Sequence, residues 1–150
     1  MTSVKIDTEN NSQAPVRLHN RKSLDEKIKI IEMDEGVKLS TQMELDVAPA
    51  ILINKFTVNL EEADEFLRAW AASAAIMKKQ PGLISAQLHH GIGDSSVFIN
   101  YAIWESTEYF KKGLNNPEFQ SSLEELPAST IASPHLFKKV AVPGICGDDE

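Results

Sequence analysis

Apolar residues recur along residues 50–142 with two different periods that take turns. ILINKFTVN (51–59) is dominated by β-branched and aromatic residues with no helix signal inside it, which predicts a strand. From Asn59 the spacing lengthens, and Phe66, Trp70, Ala74 and Met77 fall on one stripe of a helix. Asn59 and Glu62 predict a capping box for that helix, acidic Glu61, Glu62 and Asp64 complement its positive end, and QPG at 80–82 stops it. LISAQLHHG (83–91) and VFINYAIWE (97–105) predict two more strands, joined by the turn IGDSS. Ser106 or Thr107 opens a second helix with Tyr109, Phe110 and Leu114 on one side. NNP at 115–117 breaks and restarts it, with Pro117 at a first helical position, and Phe119 and Leu123 continue the apolar face. SPHLFKKVAV (133–142) predicts a last strand, ended by Pro143 and Gly144.

The order βαββαβ is the ferredoxin-like α+β plan, a four-stranded antiparallel sheet with helices on one face. It occupies 49–143, after an extension over 1–48 and before an acidic tail over 144–150. Residues 1 to 22 are polar and predict a mobile arm. SLDEKIKIIEMDEGVKLSTQMEL (23–45) fits two forms, a helix opened by the Ser23/Glu26 capping box or a hairpin turning at DEG. The extension is expected to pack on the sheet domain or to embrace a partner subunit, burying Ile28, Ile30, Ile31, Val37 and Leu39. Helices on one face leave Ile51, Ile53, Val97, Ile99, Tyr101 and Ile103 on the other, an apolar surface that predicts a homodimer packed sheet against sheet.

Composition narrows the function classes. A formal charge of −7 and a pI near 5.1 argue against a nucleic-acid partner, which calls for a clustered basic face. No apolar run reaches the length of a membrane span or forms a secretory signal, so no membrane association and a cytoplasmic location are expected. Cys146 is the single cysteine, which rules out a disulfide framework and a cysteine-based zinc site within one chain. His89 and His90 are adjacent on a strand and point to opposite faces, so they cannot chelate one ion together; His135 of the last strand could approach one of them, yet no Asp or Glu at ligand spacing accompanies them. There is no nucleophile elbow, and GIGD sits between strands rather than before a helix, so no phosphate loop is expected.

The candidate chemistry lies on the alternate face of two strands. Phe98, Asn100, Ala102 and Trp104 share one face, and Leu52, Asn54, Phe56 and Val58 share the corresponding one. If the odd-numbered residues meet a partner, Asn100 and Trp104 point beneath the helices, ~13 Å apart along the strand, and line one elongated cavity. Two amides and an indole N–H on an apolar surface resemble a ligand pocket with a few orienting groups. The alternative is that Asn100 bonds a helix end or loop carbonyl and Trp104 is plain core.

INKFTV, FLRAW, QPGLISAQLHHG, FINYAIWES and NPEFQ together resemble the antibiotic biosynthesis monooxygenase (ABM) family over residues 50 to 142. The resemblance implies a dimeric α+β barrel. In the polyketide-tailoring members, which oxidise anthrone or quinol-type aromatics with O2 and no metal or flavin, an Asn and a Trp four residues later are implicated. Asn100 and Trp104 match that spacing, whereas the tyrosine such members carry six residues after the Trp is Phe110 here. The haem-degrading members use an Asn matched by Asn54, but their catalytic Trp and His fall at Gly113 and Leu123, which speaks against haem degradation. The expectation is a cofactor-free oxygenase acting on a small aromatic substrate (anthrone, phenol or quinol type) and O2. Asn100 and the Trp104 N–H bind the substrate carbonyl or peroxo oxygen, with Asn54 as a third donor and His89 or His90 as base. Phe56, Phe66, Trp70, Phe98 and Phe110 complete the expected substrate site. A non-catalytic binding module, or an isomerase or decarboxylase of aromatic polyketides, would suit the same fold.

Overall fold

The computed structural model describes residues 28–147. Its alternating segments form β2 (Ala50–Thr57), β3 (Leu83–His90), β4 (Val97–Trp104) and β5 (Ile131–Phe137). Those of helical period form α2 (Ala63–Met77), α3 (Thr107–Leu114) and α4 (Pro117–Ser122). Upstream lie a two-residue strand, β1 (Lys29–Ile30), and a single helical turn, α1 (Leu39–Gln42). β2 runs antiparallel to β4 and β5, and β3 antiparallel to β4, which is the ferredoxin-like arrangement. β1 joins β5 in parallel, so the complete sheet is mixed and ordered β1-β5-β2-β4-β3.

Register decides which side chains meet the helices. Ala50 lies opposite Trp104, Leu52 opposite Ala102, Asn54 opposite Asn100 and Phe56 opposite Phe98. Leu136, Pro134 and Ala132 of β5 continue the rows of Leu52, Asn54 and Phe56. The core beneath the helices divides into two clusters. At one end Phe66 of α2 packs against Phe56 and Phe98, with ring centroids 5.1 and 4.8 Å apart. At the other, Leu52, Ala102, Trp104, Phe110 and Leu136 pack together. The Asn54–Asn100 row runs between them.

Two helix starts follow the sequence closely. Ser106 Oγ accepts the Tyr109 N–H and caps α3, and Asn116 caps α4 through Phe119, with Pro117 beside it. The start of α2 departs from expectation. A 3-10 turn, Leu60–Glu62, precedes it and Asn59 makes no side-chain cap. Ser129 Oγ accepts the Asn59 N–H and donates to Glu62, so a loop hydroxyl distant in sequence takes both partners of the expected box. The last strand also differs: it spans Ile131–Phe137 rather than 133–142. Phe137 pairs with Ile51, next to the first residue of β2, and beyond it no strand remains to receive Lys138 onward. Val142 bridges to Cys146 instead, in a tight turn.

From Ile28 onward the extension forms neither the helix nor the hairpin that residues 23–45 allow. Its described part, from Ile28, runs along the outer edge of β5. The Ile31 N–H donates to Ala132 O at 2.9 Å. Further on, the Gln42 side chain imitates a strand: its Nε2 donates to Leu136 O and its Oε1 accepts the Leu136 N–H, both at 2.9 Å. These contacts satisfy an edge that otherwise presents unpaired backbone groups. Thr107 then fixes the segment to α3, donating from its N–H to Val47 O at 2.9 Å and from Oγ1 to Leu45 O. The Ser23/Glu26 box and the polar residues before it lie outside the described residues, as do the last three residues of the acidic tail. Among the described residues no helix is long and apolar enough to cross a membrane.

Candidate functional site

Between the sheet and the helices lies a cavity of about 140 Å³. Its floor is the helix-facing side of β2, β4 and β5, with Asn54, Asn100 and Trp104 among the lining residues. Trp70, Ser73 and Met77 of α2 roof it, and Phe110, Phe119 and Leu123 close it from the second helical segment. The lining is apolar apart from a few groups, and no titratable side chain belongs to it among the described residues.

The polar groups differ in how they are committed. Ser73 Oγ is bonded to Ser122 Oγ at 2.7 Å, and Asn54 Oδ1 accepts the Ser133 N–H at 3.1 Å. Asn100 Oδ1 and Trp104 Nε1 are buried and have no hydrogen-bond partner among the described residues. Burying an unsatisfied polar atom costs about 1–3 kcal/mol. Thr130 Oγ1 and His135 Nδ1 are unpartnered in the same way, but of these four only the Asn100 and Trp104 atoms belong to cavity-lining residues, where a bound molecule or a water can supply the partners.

The position of Trp104 is built by its neighbours. It is 1% exposed and meets Phe110 edge to face, with ring centroids 5.7 Å apart. Gly113 in the last turn of α3 is explained by this ring, since a Cβ there would lie 2.7 Å from Trp104 Cη2. A glycine inside a helix costs roughly 1 kcal/mol relative to alanine; here it opens the space into which the indole extends. Tyr109, the neighbour of Phe110, turns away from the cavity and packs over Gly82, whose φ of +92° suits glycine alone.

The predicted site residues separate into three groups. Asn54, Phe56, Trp70, Asn100, Trp104 and Phe110 line the cavity. Phe66 and Phe98 do not; they are 0% and 3% exposed and form core behind it with Phe56. His89 and His90 do not line it either, which corrects their expected role as base. His90 stacks flat on Phe98 at 4.1 Å and bonds Ser95 O at 2.8 Å, at the end of the sheet beyond the Asn row. His89 lies on the opposite face, its Nδ1 3.4 Å from Ile99 O. His135 is separated from β3 by two intervening strands, so it approaches neither histidine, and it contacts Gln42 and Phe137 instead. Among the lining residues that sequence reasoning did not place in the site are Ile28, Ile30 and Leu39 of the extension and Ser73 and Met77 of α2.

The family model for the antibiotic biosynthesis monooxygenases matches residues 49–125, which contain α2, β3, β4 and the Asn100/Trp104 pair. The chain belongs to this family. It is 28% identical over 93 residues to the deoxynogalonate monooxygenase of Streptomyces nogalater, covering 62% of this chain and 78% of that one. SnoaB, a cofactor-independent oxygenase from the same organism, superposes with a TM-score of 0.58 at 24% identity, over 65% of this ABM chain and 99% of its own. A candidate monooxygenase from Shewanella loihica PV-4 superposes with a TM-score of 0.55 at 30% identity, over 63% and 97% of the two chains. The extension that supplies Ile28, Ile30 and Leu39 precedes the ABM match.

Proposed function

We propose that this ABM protein is a cofactor-independent monooxygenase that oxidises an electron-rich aromatic of phenol, quinol or anthrone type with O2. The observation that carries this is the pair of unpartnered buried atoms, Asn100 Oδ1 and Trp104 Nε1, in an otherwise apolar cavity. An aromatic ring suits the lining, a hydroxyl of the ring donates to Asn100 Oδ1, and an oxygen of the substrate accepts from Trp104 Nε1. The deoxynogalonate monooxygenase and SnoaB support the oxygenase class by family membership.

The chemistry balances without an added reductant. The ionised substrate passes one electron to O2, the two radicals combine into a peroxide, and its O–O bond breaks. One oxygen stays on the ring carbon as a carbonyl, the other leaves as water with the two hydrogens lost by the substrate, and all four electrons come from the ring. The protein excludes water, holds the ring, and stabilises the developing oxyanion through the indole N–H. With no titratable side chain among the described lining residues, proton loss depends on the substrate's own ionisation. An isomerase or decarboxylase relying on a side-chain acid or base is disfavoured on the same ground.

The test is oxygen uptake by metal-stripped protein over a panel of phenols, quinols and anthrones. Wild-type uptake rises with the ionised fraction of the substrate, and Trp104→Phe lowers kcat/KM by about 100-fold, the usual effect of removing one oxyanion donor. Conversion that proceeds without O2 would reassign the site to an isomerase or decarboxylase, and binding without any conversion would leave a binding module. We also propose a homodimer formed through the sheet face opposite the helices.

A further inference from the structure

We propose that the N-terminal extension, through Ile28, Ile30 and Leu39, sets the size limit of this cavity and restricts its ligand to a single aromatic ring carrying two oxygens. The inference rests on the reading of the cavity as a substrate site and narrows the proposed phenol, quinol and anthrone types to single-ring phenols and quinols. The extension forms a wall and is anchored on both sides of the residues that do so. β1 bonds to β5 beside Ile28 and Ile30, and the Gln42 amide bonds to Leu136 just after Leu39. Glu32 accepts the Leu39 N–H at 2.9 Å, tying the intervening loop to the start of α1.

Volume then decides between ligands. A cavity of about 150 Å³ holds one benzene ring, and the space bounded by the extension is about 140 Å³. Two or three fused rings require the extension to withdraw. The polar groups state the substitution pattern. Asn100 Oδ1 only accepts and Trp104 Nε1 only donates, and their residues stand four positions apart on one face of β4. One ring bridges them when it carries a hydroxyl donor at one end and a second oxygen at the other, as a hydroquinone does. Larger rings bury more apolar surface and bind more tightly wherever they fit, so a preference for the smaller ring isolates the steric limit.

The experiment is equilibrium binding under argon, read by tryptophan fluorescence, with hydroquinone, 1,4-dihydroxynaphthalene and an anthrone. The full chain is compared with Ile30→Ala/Leu39→Ala, which opens the wall, and with Leu39→Trp, which fills it. Ile30 is 59% exposed, so its truncation disturbs folding little, and melting curves check each variant. The wild type is expected to bind hydroquinone at least tenfold more tightly than either fused-ring ligand. The opened variant is expected to shift the preference at least tenfold toward dihydroxynaphthalene relative to hydroquinone, and Leu39→Trp to weaken hydroquinone by tenfold or more. Wild-type binding of the fused rings as tightly as hydroquinone, absence of hydroquinone binding, or an unchanged preference in both variants would overturn the proposal. Oxygen is excluded, so a protein that binds selectively and never consumes O2 would remove the oxygenase assignment and leave the size limit standing.

Discussion

Asn100 is the residue at which, on the proposed reading of the cavity, folding and function pull in opposite directions. Its helix-facing position on β4, between two apolar clusters and opposite Asn54, would suit a leucine, and its Oδ1 is buried without a partner among the described residues. An unpaired buried acceptor costs about 1–3 kcal/mol, and a similar-sized apolar group relieves that cost. Asn100→Leu is therefore expected to raise the melting temperature by a few degrees, at roughly 2–4 °C per kcal/mol for a chain of this size. The same change should lower oxygen uptake at least 100-fold by removing the acceptor that orients the ring. Thermal unfolding and uptake on one preparation check both halves, and a variant melting below the wild type would mean that Asn100 serves the fold. Gly113 shows the same accommodation, a helix-weakening residue at the one position where the Trp104 ring leaves no room for a Cβ.

At the scale of elements, the extension depends on the edge it covers. Gln42→Ala removes the two bonds to Leu136 and leaves that stretch of β5 without an edge partner. It is expected to destabilise the protein by about 1–3 kcal/mol in chemical denaturation and to speed hydrogen exchange at the Leu136 amide. Exchange at the wild-type rate would show that Gln42 does not hold the edge. The elements legible in the sequence are those whose causes are local. Period, β-branched composition, and the Ser106 and Asn116 caps act within a few residues of each other, and strand alternation puts Asn100 and Trp104 on one face, while which face meets the helices is set by packing. What escaped sequence reasoning depends on distant pairing. Gln42 meets Leu136 across 94 residues, and Ser129 meets Glu62 across 67, so neither the edge clamp nor the displaced cap leaves a local pattern. KIKII alternates like a strand, yet nothing nearby states that its partner is β5 or that Ile30 closes a cavity. His90 is misleading for a related reason: alternation places it on the helix-facing side, but register sets it beside Phe98, past the end of the cavity.

At the scale of the whole molecule, the two faces of the sheet are unequally covered. The helices bury one, whereas the other presents Ile53, Ile99 and Ile103 half-buried and Tyr101 and Phe137 each 38% exposed. These residues are neighbours by register: Ile53 opposes Tyr101 and Ile51 opposes Ile103 across β2 and β4, and Ile51 opposes Phe137 across β2 and β5. An apolar surface of this kind, with Lys55 and His89 on either side of Ile99, is what a second sheet covers in a face-to-face packing about 10 Å apart. A two-fold axis through it makes each residue meet the same surface on the partner, so one charge on the chain becomes two like charges at the interface. Ile99→Lys tests this, since a lone lysine on an open sheet face of a monomer is tolerated while a pair buried between sheets is not. Light scattering after gel filtration is expected to give the wild type twice the 16.6 kDa chain mass, and Ile99→Lys the single-chain mass with an unchanged circular dichroism spectrum. A monomeric wild type would discard the dimer. A dimeric Ile99→Lys would place the interface elsewhere, with the exposed Val140 and Ile145 beyond β5 as the next surface to charge. The cavity lies on the helix-covered side, so hydroquinone binding in the monomeric variant should match the wild type, separating assembly from recognition.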